Sequence, residues 1–145
     1  LEEYEESEQI IKKQIKAQPD NMQLYVTYGN LFEKQYRDDD ANAQYEKAIS
    51  KLEADRFKIT KLANAFTNLQ KYDLAIKTYE KGGEVLKDKK QFAYNLGDLY
   101  RRKGDQSEKM IDNYLSSLDH NPSRLNSMKT LFQRYLTPDE YLITV

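Results

Sequence analysis

The sequence contains no cysteine, so disulfides and thiolate chemistry are excluded and the redox compartment stays undecided. It has no excess of one charge. The 23 basic residues nearly balance 24 acidic ones for a formal charge of -1, so no global field draws in nucleic acid or an anionic membrane. No apolar run approaches the ~18 residues of a membrane span, so membrane insertion is not expected. The sole histidine is His120. A general base needs a positioned nucleophile and an orienting partner, and the sequence offers neither, so His120 reads as a helix-end or loop residue. Arg37–Asp40, RDDD, lacks the spaced ligands and glycine of a calcium loop and reads as the acidic start of a helix. The KGGE run has no preceding strand and no GK[ST] ending, so it is not a phosphate loop. The short basic clusters Lys87–Lys90 and Arg101–Lys103 read as solvated turns or faces. No catalytic residue, metal site or cofactor is expected.

What the sequence does contain is a repeat. An offset of 34 aligns YGNLF (Tyr28–Phe32), LANAF (Leu62–Phe66) and LGDLY (Leu96–Tyr100). It also carries Ala41 to Ala75 and Tyr45 to Tyr79. One extra residue near Lys109 then brings Met110, Tyr114 and Ser117 into line with Ala75, Tyr79 and Gly82. Each unit reads as two amphipathic helices. Ile59, Leu62, Ala63 and Phe66 follow the i, i+3, i+4, i+7 rule, a polar break follows at Gln70–Lys71, and Tyr72, Ala75, Ile76, Tyr79 and Leu86 carry the second helix. Gly29, Ala63 and Gly97 are small enough to let a paired helix approach closely. Ala75 is expected to be small for the same reason. The Gly82–Gly83 pair costs ~1 kcal/mol per residue relative to alanine, so that helix is expected to be locally soft.

This pattern resembles the tetratricopeptide repeat family. The small residue, aromatic, alanine, aromatic and small residue of the family motif fall on Gly29, Phe32, Ala41, Tyr45 and Ala48. The next unit places them at Ala63, Phe66, Ala75, Tyr79 and Gly82. The third has Gly97, Tyr100, Met110, Tyr114 and Ser117, with the motif's proline at Pro122. The departures are Met110 for a small residue and the absence of that proline after the first two units. The resemblance implies an all-α solenoid of antiparallel helix-turn-helix repeats, seven to eight helices in all. Residues 1–21 would be the second helix of a truncated repeat, and 22–55, 56–89 and 90–124 three full repeats. Residues 125–145 would be a partial repeat or capping helix, with Ser123 capping a helix through Leu136 and Thr137–Glu140 at capping-box spacing. On this reading the chain is a piece of a longer array with stacking surfaces exposed at both ends, around Ile10, Ile11 and Ile15 and around Tyr141–Val145. Such surfaces favour self-association.

The resemblance also implies a concave face lined by the first helix of each unit. It assigns Asn30, Phe57, Lys61 and Asn64 to that face, then Tyr94, Asn95, Asp98, Arg101 and Arg102. Carboxamides can both donate to and accept from a peptide backbone, while Phe57 and Tyr94 stand as apolar anchors outside the repeat core. The family's carboxylate-gripping arrangement is not matched, since the corresponding places hold Val26, Asn30, Lys61, Gln91 and Asn95. The expected function is protein–protein interaction or scaffolding, with a protein or peptide partner in the groove and no nucleic acid. The alternatives are a structural or oligomerisation spacer, or the non-catalytic arm of an enzyme whose active domain lies elsewhere.

Overall fold

The computed structural model describes residues 1–139, and the expectations for Glu140 and for Tyr141–Val145 lie outside the described residues. All regular structure in that range is helical. The α-helices are α1 (Glu2–Ala17), α2 (Met22–Glu33), α3 (Asp38–Ser50), α4 (Arg56–Asn68), α5 (Tyr72–Val85), α6 (Ala93–Lys103), α7 (Ser107–Ser116) and α8 (Leu125–Tyr135). Short 3-10 turns lie at Ser117–Asp119 and Pro122–Arg124. This is the all-α helical-repeat class expected from the sequence. The chain divides into two compact units, Leu1–Lys81 and Gly82–Val145, and the division falls inside α5.

In the first unit α2 and α3 pack as a pair, with α1 against α2 and α4 beside α2. The pairing depends on one contact. The Tyr45 ring of α3 lies directly on Gly29 of α2, so closely that a Cβ there would sit 2.3 Å from Tyr45 Cε1. Tyr45, Ala41 and Ala48 are fully buried along one stripe of α3. Burying a side chain of this size contributes about 2–3 kcal/mol. The Tyr45 ring then meets Phe66 of α4 edge-on at 5.5 Å. Ile59, Leu62, Ala63 and Phe66 are all fully buried, as their spacing requires. Ala75 is fully buried as well.

The second unit repeats the contact. A Cβ on Gly97 of α6 would stand 2.6 Å from Tyr114 Cδ1 of α7. Tyr114 is fully buried and also touches Phe132 of α8, with ring centroids 6.2 Å apart. Met110 takes the alanine's place in α7 and is buried. Gly83 of the glycine pair has a packing reason. α5 is helical through Gly82 and Gly83, and the returning backbone passes so near that a Cβ on Gly83 would lie 3.2 Å from the Asp88 carbonyl oxygen.

The turns also recur. Tyr36, Gln70 and Gly104 close α2, α4 and α6 in the left-handed region, at φ of 59°, 57° and 78°. Lys87 does the same after α5 at 55°. After α2 the Tyr36 N–H donates to Glu33 O and the Arg37 N–H to Phe32 O, and the same pair of bonds follows α4 from Gln70 and Lys71. This is the Schellman closure, which favours glycine at the left-handed residue. Only Gly104 supplies one, so sequence punctuation marks one turn of the four.

Two helix starts differ from expectation. The acidic run opens α3, with Asp38, Asp39 and Asp40 in its first turn, but the N-cap is Arg37 and no side chain caps it. The acids act on the helix dipole, and Asp40 instead accepts from Arg37 Nε at 2.8 Å. Ser123 does not cap α8. The N-cap is Arg124, and Ser123 Oγ donates to Asn121 Oδ1, because the 3-10 turn after Asn121 intervenes.

Two stability measurements follow from these contacts. Gly97→Leu should lower stability by ~1–3 kcal/mol through overpacking against Tyr114, and an unchanged urea midpoint would contradict the ring-on-glycine packing. Tyr36 is 93% exposed, so replacing it loses no packing. Tyr36→Gly should raise stability by roughly 0.5–1 kcal/mol by relieving the left-handed backbone, whereas Tyr36→Val should lower it.

Candidate partner-binding surface

In the first unit the surface is organised by the start of α4. Asp55 is extended, and its Oδ1 accepts from the N–H groups of Phe57 at 2.9 Å and Lys58 at 3.1 Å. This cap satisfies donors that the first helical turn cannot satisfy itself. It also fixes the direction of the next side chains. Phe57 is held outward and is 75% exposed. Lys61 and Asn64 follow at i+4 and i+7, on the same face, and both are exposed. Beside Phe57 lies a cleft of about 500 Å³, lined by Ala17, Pro19, Asn21, Met22, Phe57 and Lys61 among others. Its far wall is the turn from α1 to α2, which Tyr25 holds by donating its hydroxyl to Pro19 O at 3.1 Å. Asn30 is half-buried on α2. Lys58 is paired with Glu53 at 2.6 Å.

The second unit treats the equivalent positions differently. Tyr94 is not the free anchor that the sequence suggests. It is half-buried, its ring lies 5.4 Å from that of Tyr114, and the Arg124 guanidinium sits 4.0 Å over its ring centroid. Asp98 and Arg101 serve the core tyrosine as well. The Tyr114 hydroxyl donates to Asp98 Oδ1 at 2.5 Å and accepts from Arg101 Nε at 3.1 Å. Arg101 Nη2 lies 3.4 Å from Asp98 Oδ1, and its guanidinium is 5.2 Å from the Tyr135 ring centroid. Burial raises the Tyr114 pKa, and the Asp98 hydrogen bond adds to that while Arg101 opposes it. Arg102 is exposed and Asn95 half-buried on the same helix.

The corresponding phenol of the first unit has no such partners. Tyr45 Oη is buried without a hydrogen bond. Its pKa is raised by burial first and by the nearby Glu33 carboxylate second. Glu33 instead accepts from Lys71, whose ammonium stands 5.1 Å from the Tyr45 ring centroid. The sequence pattern does not distinguish the two tyrosines, because the difference lies in what the first helix offers the hydroxyl. Arg124 was also beyond reach of the periodicity, since it lies in an irregular turn rather than at a repeat position.

The remaining candidates are structural. His120 Nε2 meets Asp88 Oδ2 at 2.9 Å, and Lys90 pairs with Asp119, so the Lys87–Lys90 cluster is a turn tied to the end of α7. The hydrogen bond to His120 is the main reason that the Asp88 carboxyl lies below its ordinary value. Arg101, Arg102 and Lys103 fill the last turn of α6, where cations favour the helix dipole. Among the described residues no group of three or more His, Cys, Asp or Glu could hold a metal ion. Also among them, no helix is long and apolar enough to cross a membrane.

Helix pairs closed by a ring on a small residue, with Schellman turns between them, define a helical-repeat protein. Residues 59–82 match the family model described as tetratricopeptide repeat. The chain is also similar to the solved crystal structure of MamA, with 18% identity and a TM-score of 0.54, over 97% of this chain and 84% of that one. No curated protein matches it. The fold is therefore that of a helical-repeat protein, and residues 59–82 are similar to a tetratricopeptide repeat.

The two core phenols give a paired test. Tyr114→Phe should cost about 1–2 kcal/mol, because it strips a hydroxyl bonded to two partly buried groups. Tyr45→Phe should be neutral or slightly stabilising in the same urea titration. Both folded pKa values are raised, so the neutral phenols contribute fully below the ordinary tyrosine value of 10.0 and that contribution is lost as pH rises through the folded values. Stability should therefore fall in alkali, and each Phe variant should flatten that fall.

Proposed function

We propose that the chain is a non-catalytic binding module that holds a segment of a partner protein on the outer face of α4. The observation that carries this reading is Phe57, a large ring 75% exposed beside a cleft of about 500 Å³. An isolated exposed aromatic means little. Here the ring is fixed by the Asp55 cap and shares its face with Lys61 and Asn64. The cleft takes an apolar side chain, Phe57 packs over it, and the Asn64 amide bonds the partner backbone in both senses. Lys61 adds one cation. Unit 2 contributes Asn95 and Arg102 on a face of its own, and Asn30 contributes from α2.

Binding at such a surface rests on a few anchors. Phe57→Ala and Asn64→Ala should each weaken capture of the native partner by ~1–2 kcal/mol. Both side chains are exposed, so the melting temperature should barely move. The measurement is isothermal titration with the partner recovered from the native source, alongside thermal denaturation of each variant. Unchanged affinity in both variants would defeat the reading. Loss of binding in Ile10→Lys, on the exposed side of α1, would point instead to the scaffold alternative.

A further inference from the structure

The second unit distributes charge unevenly. The chain as a whole has 23 basic and 24 acidic residues. Yet α6 carries Arg101, Arg102 and Lys103 against Asp98 alone. The turn before α8 and α8 itself carry Arg124, Lys129 and Arg134 with no acid. The single carboxylate is occupied, since Asp98 accepts from the Tyr114 hydroxyl and pairs with Arg101. Arg124 is half-buried and has no carboxylate partner among the described residues. Its guanidinium is instead oriented by the Tyr94 ring at 4.0 Å.

Stacking fixes the plane of a guanidinium and leaves its N–H edge outward, the geometry that grips a carboxylate through two bonds. Arg101 is flanked by the Tyr135 ring at 5.2 Å; its Nε donates to Tyr114 and its Nη2 to Asp98, which leaves Nη1 for a ligand. Tyr94 and Arg101 are two turns apart on α6, which is about 10 Å along the axis. We propose that Arg124 and Arg101 form a two-point carboxylate site in the second unit, which takes an extended acidic segment of a partner protein. A polyproline II segment places side chains i and i+3 on one side about 9 Å apart, so acidic residues three apart match the spacing. Single-stranded nucleic acid is the poorer occupant. It needs open aromatic faces for its bases, and here guanidinium groups cover Tyr94 and flank Tyr135.

This inference rests on the reading of the chain as a partner-binding module, but it uses other residues. The probe is a fluorescein-labelled peptide of Glu-Pro-Pro repeats, titrated by anisotropy at low and moderate salt. Saturable binding is expected, with a Gln-Pro-Pro control at least about tenfold weaker. Arg124→Lys should lose about as much as Arg124→Gln, near tenfold, because an ammonium keeps the charge but not the stacked fork. Tyr94→Leu should weaken binding through loss of the stack. Thermal melts of each variant separate a lost site from a lost fold, and Arg124→Lys remains informative if the other two are unstable. Phe57→Ala should leave the acidic peptide unaffected. The proposal is overturned by absent or unsaturable binding, by a glutamine control that binds equally, or by Arg124→Lys binding like the wild type. Tighter binding of oligo-dT than of the acidic peptide overturns it in favour of a nucleic-acid surface. If the peptide fails while the native partner still requires Phe57, this site alone is refuted. If the peptide binds and the partner ignores Phe57, the refuted claim is the α4 surface.

Discussion

A tyrosine ring packed against a helix glycine is the contact on which each unit depends. At Gly29 against Tyr45 and at Gly97 against Tyr114 the ring occupies the space that a Cβ would need. Everything else in the pair is arranged around that contact. The alanines at 41 and 48 lie on the same buried stripe of α3, one turn either side of Tyr45. Phe66 meets Tyr45 edge-on, and Phe132 meets Tyr114, so each ring also sets where the following first helix packs. A larger residue at the glycine would force the ring aside and loosen that neighbour too, since close-packed interiors pass strain along.

The same ring carries a hydroxyl that must end up somewhere. In the second unit it ends between Asp98 and Arg101, on the face of α6. In the first it ends buried and unpaired, while Glu33 turns to Lys71. A buried phenol without a partner costs free energy that a satisfied one does not. The two units therefore share a geometry but not an energetic balance. Residues on the outer face of a first helix are consequently not all free for a partner, because some are engaged by the core behind them.

That division separates two kinds of surface. The first unit leaves an aromatic ring open beside a cleft, held by a helix cap, so apolar capture is the chemistry it offers. The second covers or flanks its aromatics with guanidinium groups, so charge-assisted hydrogen bonding is what remains. The single histidine and the Lys87–Lys90 turn, both conspicuous in the sequence, are engaged by a hydrogen bond to Asp88 and a Lys90–Asp119 ion pair that tie one turn to the end of α7.

The repeat was legible because it is written in residue size. A glycine or alanine and an aromatic at a fixed spacing recur whether or not anything else does, and period 3.6 does the rest. Hence Gly29, Ala63, Gly97, Tyr45, Tyr79 and Tyr114 were identifiable as core, and Phe57, Lys61 and Asn64 as exposed on one face of α4. The turns were only partly legible. Left-handed closure falls on Tyr36, Gln70 and Lys87, where repeat register rather than residue type imposes the conformation. The N-caps at Arg37 and Arg124, neither with a side-chain hydrogen bond, could not be read from capping propensity. Side-chain partnership was decided by tertiary structure alone. Arg124 reaches Tyr94 across thirty positions of sequence, and the Tyr114 hydroxyl ties Asp98 and Arg101 to the core behind them. Sequence spacing determines which face a residue occupies, because the helix is a local object. Whether that residue is free depends on what a different helix places against it, and that is settled only when the helices pack.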